Sequence, residues 1–240
     1  MKNNKTRINV FLGLAVALLL PLSCYLLVKH MSQGKVHMPH FYKPDSLTHK
    51  LVNEKQITDT VFHSVSDLVL TNQLGKTVSL NKDLAGRFVV INFFFVNCPS
   101  ICPQLSSNMR LLQSAFKKNP RKESQVDTLM QLISITVNPS HDSVSELRKY
   151  ADKYGANHDH WWFLTGSKPL IYQFARNELG VVADQGDGGP NDFIHTDKIV
   201  LLDRERHIRG YYNGLDSLDV KRCADDIILL TLEKNDKPNK

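Results

Sequence analysis

A nine-residue run that is apolar except for Asn92 ends one residue before a closely spaced pair of cysteines. Residues 88–96 read Phe-Val-Val-Ile-Asn-Phe-Phe-Phe-Val, and after Asn97 the chain continues Cys98-Pro-Ser-Ile-Cys102-Pro103. A run so rich in β-branched and aromatic residues predicts a strand buried on both faces. The proline after Cys98 predicts a helix that opens at Pro99, where a missing N–H costs nothing. We therefore expect two thiols at a strand-to-helix junction.

Buried structural cysteines do not need a strand-to-helix junction, so this position indicates a chemical role for the two thiols. If both lie on the helix, a spacing of four places Cys98 and Cys102 on one face. A helix N-terminus stabilises thiolate, which is the form that attacks disulfides and binds soft metals. Of the other two cysteines, Cys24 falls in an apolar N-terminal stretch, and Cys223 falls in register with apolar residues of a predicted helix. We expect Cys223 to pack in the core.

The N-terminus of this 240-residue chain predicts a membrane anchor. Residues 8–28 carry no charge, and as a helix they would span about 31 Å, the thickness of a bilayer core. Three basic residues precede them: Lys2, Lys5 and Arg7. This favours a cytoplasmic N-terminus and an exported remainder. We expect residues 1–29 to anchor the protein in a bacterial inner membrane; a cleaved signal peptide and a lipoprotein signal cleaved at Cys24 remain alternatives.

The charge distribution excludes a nucleic-acid surface. The formal net charge is +6, but residues 1–56 hold eight basic residues against two acidic ones, which leaves 22 of each sign in residues 57–240. The basic excess therefore belongs to the anchor and to the polar segment 30–56, which we interpret as a linker. We expect a domain over residues 57–235 that faces the periplasm or outer side of the membrane.

The order of the predicted elements indicates an α/β sandwich. A hairpin around Gly75 precedes the buried strand, and a helix to Lys118, a second strand at 129–137 and a helix at 143–154 follow. A short aromatic strand at 161–164, a helix at 167–179, a hairpin over 198–212 and a helix at 218–232 complete the order. Strands alternating with helices predict a central mixed sheet with parallel strands at its centre. A strand, a cysteine pair and a helix near the start are typical of thioredoxin-like architecture.

Three segments resemble the Sco/SenC family. They are residues 94–103, which contain the cysteine pair, Ser134-Ile-Thr-Val-Asn-Pro139, and Asp192-Phe-Ile-His195-Thr196. The resemblance implies a thioredoxin-fold, membrane-tethered copper-binding protein that helps to assemble the binuclear copper centre of cytochrome c oxidase. Its metal ligands would be Cys98, Cys102 and His195. Two departures from the family pattern remove acidic groups: Ile194 stands where many members have Asp, and Asn138 precedes Pro139 where Asp is usual.

The donor types agree with this implication. Thiolate sulfur selects Cu(I), and imidazole suits copper in both oxidation states. Asp192, Asp197 or a backbone carbonyl would accept from the second ring nitrogen of His195. We therefore expect a metallochaperone that binds Cu(I) or Cu(II) and delivers it to the copper-accepting oxidase subunit. The alternative is a membrane-tethered thiol–disulfide oxidoreductase that reduces cysteines of that subunit or of another envelope protein, with Cys98 and Cys102 as the redox-active thiols.

Overall fold

The computed structural model describes residues 2–32, 38–52, 55–116, 129–181 and 196–233. Its contacts divide the chain into two units, residues 1–38 and residues 39–240. The first unit contains a single long helix, α1 (Lys2–Ser32), with Pro21 in its interior. By length and composition its segment Val10–Lys29 is apolar enough to cross a membrane, which agrees with the predicted apolar stretch.

The second unit contains two sheets. The strands are, in chain order, β1 (Pro44–Val52), β2 (Lys55–Phe62), β3 (Val69–Asn72), β4 (Thr77–Ser79), β5 (Phe88–Phe94), β6 (Met130–Thr136), β7 (Trp161–Thr165), β8 (Lys198–Leu202) and β9 (Ile208–Asn213). Strands β1 and β2 form a separate antiparallel pair. The other seven form one sheet in the order β4-β3-β7-β6-β5-β8-β9. Strands β5, β6 and β7 are parallel, whereas β3 pairs antiparallel with β7 and β8 antiparallel with β5.

Helices cover both faces of the seven-stranded sheet. Helices α2 (Cys102–Ala115), α3 (Val144–Lys153) and α5 (Ser217–Leu232) contribute to one apolar core. Helix α4 (Lys168–Gln173), continued by a π-helical turn over Phe174–Glu178, contributes to the core on the other face. All residues of β5 and β6 are buried, as expected for parallel strands between two helical layers. The predicted α/β sandwich with a mixed central sheet is confirmed.

Most predicted elements lie within two or three residues of the observed ones. The hairpin around Gly75 forms between β3 and β4, and Gly75 has a φ of +75°, a value that favours glycine in the turn. The Ser143 hydroxyl accepts from the Glu146 N–H and caps α3. The hairpin of β1 and β2 has no counterpart in the sequence analysis, which interpreted residues 30–56 as a linker. Its strands alternate weakly in polarity, and therefore the pattern did not reveal them.

Candidate metal centre

Cys98 lies in the loop that follows the carboxyl end of β5, and Cys102 is the first residue of the helix after that loop. Helix α2 begins at Cys102 and not at the predicted Pro99; Ile101 precedes it and Pro103 occupies its first turn. A proline in the first turn fits because its missing N–H has no intrahelical partner there. The prediction was wrong because two prolines follow cysteines in this motif and only the second opens the helix. The thiols are therefore brought together by the loop, and not by helical spacing.

Hydrogen-bond donors converge on the sulfur of Cys98. Burial acts to raise the pKa of the Cys98 thiol, but it is outweighed by hydrogen bonds from the Cys102 thiol, from the backbone N–H groups of Ser100 and Cys102, and from the Ser100 hydroxyl. The pKa of Cys98 is therefore lowered from its ordinary value. The Ser100 oxygen lies 3.7 Å from the sulfur. This is the environment of a reactive thiol.

The second thiol has the opposite character. Burial raises the pKa of Cys102 to about 12, and the neighbouring Cys98 sulfur and the Asp142 charge act in the same direction. A hydrogen bond from the Phe95 N–H to the Cys102 sulfur offsets only part of this increase. Cys98 is therefore the first of the two thiols to ionise as pH rises, and Cys102 keeps its proton to a higher pH. All four cysteines of the chain are free thiols in the structure.

Cys223 is separate from this pair, as the sequence analysis expected. It is fully buried in the core beneath α5, among the residues that α2 and α3 also contact. Burial raises the pKa of the Cys223 thiol well above its ordinary value, and Asp226 and Asp219 add to the effect. Such a thiol acts as a small apolar side chain.

The two reactive thiols open into one cavity. Its volume is about 180 Å³. Besides the two cysteines, its walls include Phe94, Phe95, Ile101, Val137 and Thr196. The two sulfur atoms are the soft donors of this cavity, and most of the other lining side chains are aromatic or aliphatic. Such a site suits a soft, weakly hydrated cation better than a hard one.

Thr196, which lines this cavity, is held by hydrogen bonds at the start of β8. The Lys198 N–H donates to the Thr196 hydroxyl at 3.1 Å. The carbonyl of Asp197 accepts from the Gly214 N–H at 2.7 Å. The Gly214 carbonyl in turn accepts from Asn108 on α2 at 2.8 Å. The chain entering β8 is therefore tied to the helix that begins at Cys102.

The predicted third ligand, His195, lies outside the described residues, and so does Asp192. The other predicted partner of His195, Asp197, is described; its carboxylate lies 3.8 Å from the Lys198 ammonium. Within the ranges 2–32, 38–52, 55–116, 129–181 and 196–233, no three histidine, cysteine or carboxylate side chains form a metal-binding group. The structure thus brings Cys98 and Cys102 together, and the assignment of His195 stays a prediction.

Two residues of the site had no role in the sequence analysis. Ser100 contacts the Cys98 sulfur, and its place between the two cysteines was the available signal. The second of these residues is Asp142, six residues after the end of β6. Its carboxylate is buried and accepts a hydrogen bond from the Val96 N–H at 3.1 Å. No local pattern could show this contact because 46 residues separate the two partners.

Comparison with known proteins identifies one family. The family model described as SCO1/SenC matches residues 58–230. A SCO1 protein homolog of Bacillus subtilis (strain 168) is 31% identical over 174 residues, which represent 72% of this chain and 86% of that protein. The chain is therefore similar to this relative over more than two thirds of its own length.

Solved structures agree with this similarity. BsSco, described as a member of the Sco family of cytochrome c oxidase assembly proteins with a disulfide switch, is 28% identical with a TM-score of 0.58 over 71% of this chain and 95% of that chain. The structure of Bradyrhizobium japonicum ScoI with copper bound is 23% identical with a TM-score of 0.53, over 69% of this chain and 98% of that chain. The second likeness shows a common fold.

Proposed function

The chain belongs to the SCO1/SenC family, and we propose that it is a copper-binding metallochaperone that delivers copper to the binuclear copper centre of cytochrome c oxidase. BsSco is described as a member of a family of cytochrome c oxidase assembly proteins, and the structure of B. japonicum ScoI contains bound copper. The observation that carries the proposal is the pair of thiols, Cys98 and Cys102, that opens into one cavity.

The donor set of this cavity fits copper. Two sulfur donors select Cu(I) over harder divalent ions. Because the pKa of Cys98 is lowered, this thiol gives up its proton more readily than an ordinary cysteine when a metal binds. Cys102, with a pKa of about 12, is protonated at neutral pH, and binding through both sulfurs releases its proton. Copper is the cargo, and the chain supplies two sulfur donors that line one cavity.

His195 completes the proposed ligand set. The support is that Thr196, the next residue in the sequence, lines the same cavity as the two cysteines. Consecutive Cα atoms are about 3.8 Å apart across a trans peptide bond, so the covalent chain keeps His195 close to Thr196. A third ligand would protect Cu(I) from competing thiols and would hold Cu(II), which two thiolates alone bind poorly.

A second candidate function, a thiol–disulfide oxidoreductase, is favoured by the unequal pKa values of the two thiols. A low-pKa thiol attacks a disulfide, and a protonated neighbour resolves the mixed disulfide after it loses its proton. Cys98 and Cys102 have these two properties. The same pair would then reduce cysteines of an oxidase subunit or of another envelope protein. One dithiol can serve both functions, but reduction has no need of His195.

The variant His195→Ala separates the two functions. If copper delivery is the function, the variant loses most of its copper affinity and fails to support oxidase assembly, while its dithiol still oxidises. Copper stoichiometry of the purified protein and oxidase activity of a strain that carries only this variant are the measurements. His49→Ala is the matched control, because His49 lies in the β1–β2 hairpin and bonds to Thr58. Normal oxidase activity without retained copper would favour the reductase.

We further propose that the protein is a single-pass protein of the bacterial inner membrane with its second unit in the periplasm. The support is the apolar segment Val10–Lys29 of α1 and the basic residues before it. This placement puts the dithiol on the side of the membrane where a copper-accepting oxidase subunit would receive its metal.

A further inference from the structure

A buried carboxylate holds the backbone of the loop that leads to Cys98. The side chain of Asp142 is 1% exposed. Its Oδ2 atom accepts a hydrogen bond from the Val96 N–H at 3.1 Å and another from the Thr136 hydroxyl. Only Asn97 separates Val96 from Cys98. The carboxylate therefore restrains the chain two residues before the reactive thiol.

The burial of the Asp142 carboxylate costs folding stability, and no cationic side chain offsets this cost through a salt bridge among the described residues. A buried carboxylate without a cationic partner lowers stability, and hydrogen bonds offset only part of the desolvation. Among the described residues, no Lys, Arg or His forms a salt bridge with Asp142, whereas the other buried aspartate, Asp203, pairs with Arg209 at 3.3 Å. Burial raises the pKa of Asp142 although Thr136 and Val96 donate to it. Such costly groups concentrate at functional sites.

Asp142 is itself held in a rigid frame. Its backbone N–H donates to the Asn138 carbonyl at 3.0 Å, and the Asn138 N–H donates to the Thr136 hydroxyl at 3.0 Å. Val137, which lies between Thr136 and Asn138, donates its N–H to the Phe94 carbonyl at 2.8 Å. The frame therefore connects the ends of β6 and β5. A side chain fixed in this way can hold a neighbouring loop in one position.

We propose that Asp142 is the positioning residue of the dithiol: by holding the Val96 N–H, it keeps the Cys98 sulfur facing that of Cys102. This inference rests on the dithiol of the proposed function but requires no copper. When the two thiols form a disulfide, they lose two protons and two electrons to an oxidant such as glutathione disulfide, which becomes two glutathione molecules. A loop held in place raises the effective concentration of one sulfur at the other and favours this bond.

The test is a redox titration of the metal-free protein in glutathione buffers. Asp142→Ala removes the acceptor of the Val96 N–H, and we expect the equilibrium constant for disulfide formation to fall about tenfold, which is about 30 mV for a two-electron couple. Asp142→Asn keeps a carbonyl oxygen for the Val96 N–H and removes only the charge. We expect its constant at pH 7 to stay within a factor of two of the wild-type value, because Cys102, with a pKa of about 12, is protonated at that pH and the effect of the Asp142 charge on its ionisation does not enter the equilibrium.

Each other result overturns the proposal. Equal shifts in both variants would show that the charge acts on the thiols, and unchanged constants in both would show a purely structural role, since a loss of stability common to both redox forms leaves the constant unchanged. Asp159→Ala removes an exposed carboxylate just before β7; it is the matched control and should change nothing. Hydrogen exchange of the wild-type Val96 amide gives an independent measurement: we expect protection in both redox forms, and free exchange would overturn the proposal even if Asp142→Ala does not fold.

The redox titration also separates this inference from the proposed function. Because no metal is present, a shift in Asp142→Ala alone supports the positioning role even if His195→Ala shows that copper is not the cargo. Conversely, a protein that binds copper as proposed but shows no shift in Asp142→Ala retains its function and loses this positioning residue.

Discussion

The guanidinium of Arg209 donates two hydrogen bonds to the backbone carbonyl of Pro39, at 2.8 Å from Nη2 and at 3.3 Å from Nε. Nη1 and Nη2 also donate to the Glu233 carboxylate, at 2.7 and 2.9 Å, and Nη1 donates to the Asp203 carboxylate at 3.3 Å. The ring of Phe41 lies 3.9 Å from the guanidinium carbon. Arg209 thus fastens residues 39–41 to β9 and to the end of α5, and these residues belong to the folded unit.

We predict that Arg209→Met lowers the free energy of unfolding by about 3 kcal/mol. The substitution preserves bulk but leaves Asp203 buried without its cation and the Pro39 carbonyl without its donors. Urea denaturation monitored by circular dichroism measures the change. Arg148→Met is the control: its pair with Asp152 is exposed, so its loss should cost less than about 1 kcal/mol. Equal effects of the two substitutions would contradict the role of Arg209.

A second prediction concerns the boundary of the domain, which the sequence analysis places at residue 57. A protein that starts at Pro39 should be about 2 kcal/mol more stable than one that starts at Ile57, since a backbone hydrogen bond contributes about 1 kcal/mol. The shorter protein lacks strand β1, the Tyr42 N–H bond to the Ile208 carbonyl at 3.0 Å and the carbonyl that Arg209 binds. Denaturant unfolding of both proteins is the measurement, and indistinguishable midpoints would support the boundary at 57.

The two thiols should react at different pH values. Thiolate is the nucleophile, so the alkylation rate rises as pH passes the pKa of each thiol. Because the pKa of Cys98 is lowered and that of Cys102 is about 12, iodoacetamide at neutral pH should modify Cys98 first. Peptide mapping after short exposure identifies the modified residue. In Cys98→Ser the Cys102 rate should rise at lower pH, because the Cys98 sulfur helps to raise the pKa of Cys102; preferential labelling of Cys102 in the wild type would reverse the assignment.

Oxidation should join Cys98 to Cys102 within one chain. Both thiols line the same cavity, whereas Cys223 lies in the core beneath α5. Mass spectrometry of the oxidised soluble protein should show a loss of two hydrogens in the peptide that contains both cysteines, and copper should bind only after reduction, because the sulfur electron pairs then become available again. A disulfide between Cys223 and either partner would refute this arrangement of the site.

The membrane topology is tested with spheroplasts. If residues 1–29 are an anchor with a cytoplasmic N-terminus, protease added to intact spheroplasts should digest the second unit. The same treatment should leave a cytoplasmic marker protein intact. Protection of the second unit would reverse the orientation. A mature N-terminus at Cys24 would replace the membrane helix with a lipid anchor, and a shorter free protein in the periplasm would indicate a cleaved signal peptide.

Local patterns in the sequence were sufficient for much of the fold. The run at 88–96, apolar except for Asn92, predicted β5 because a strand covered on both faces is apolar at most positions. The start of the helix predicted at residue 143 was correct because its capping contact, between Ser143 and Glu146, lies within four residues. The β1–β2 hairpin was missed because apolar and polar residues alternate only weakly along its strands. The start of α2 was placed too early because Pro99 and Pro103 each follow a cysteine, and the sequence alone did not show which proline lies in the first turn.

For the candidate site, too, the sequence predicted some features and the folded structure determined the others. Residue type and spacing were enough to select Cys98 and Cys102, because two closely spaced thiols after a buried strand restrict the chemistry. Which thiol ionises first depended on the loop, since donors from Ser100 and Cys102 converge on one sulfur only after folding. The contact between Asp142 and Val96 likewise joins residues far apart in the chain. Sequence therefore determines which groups are available, whereas burial and long-range hydrogen bonds decide their charge and orientation, because both depend on neighbours that only the folded sheet brings together.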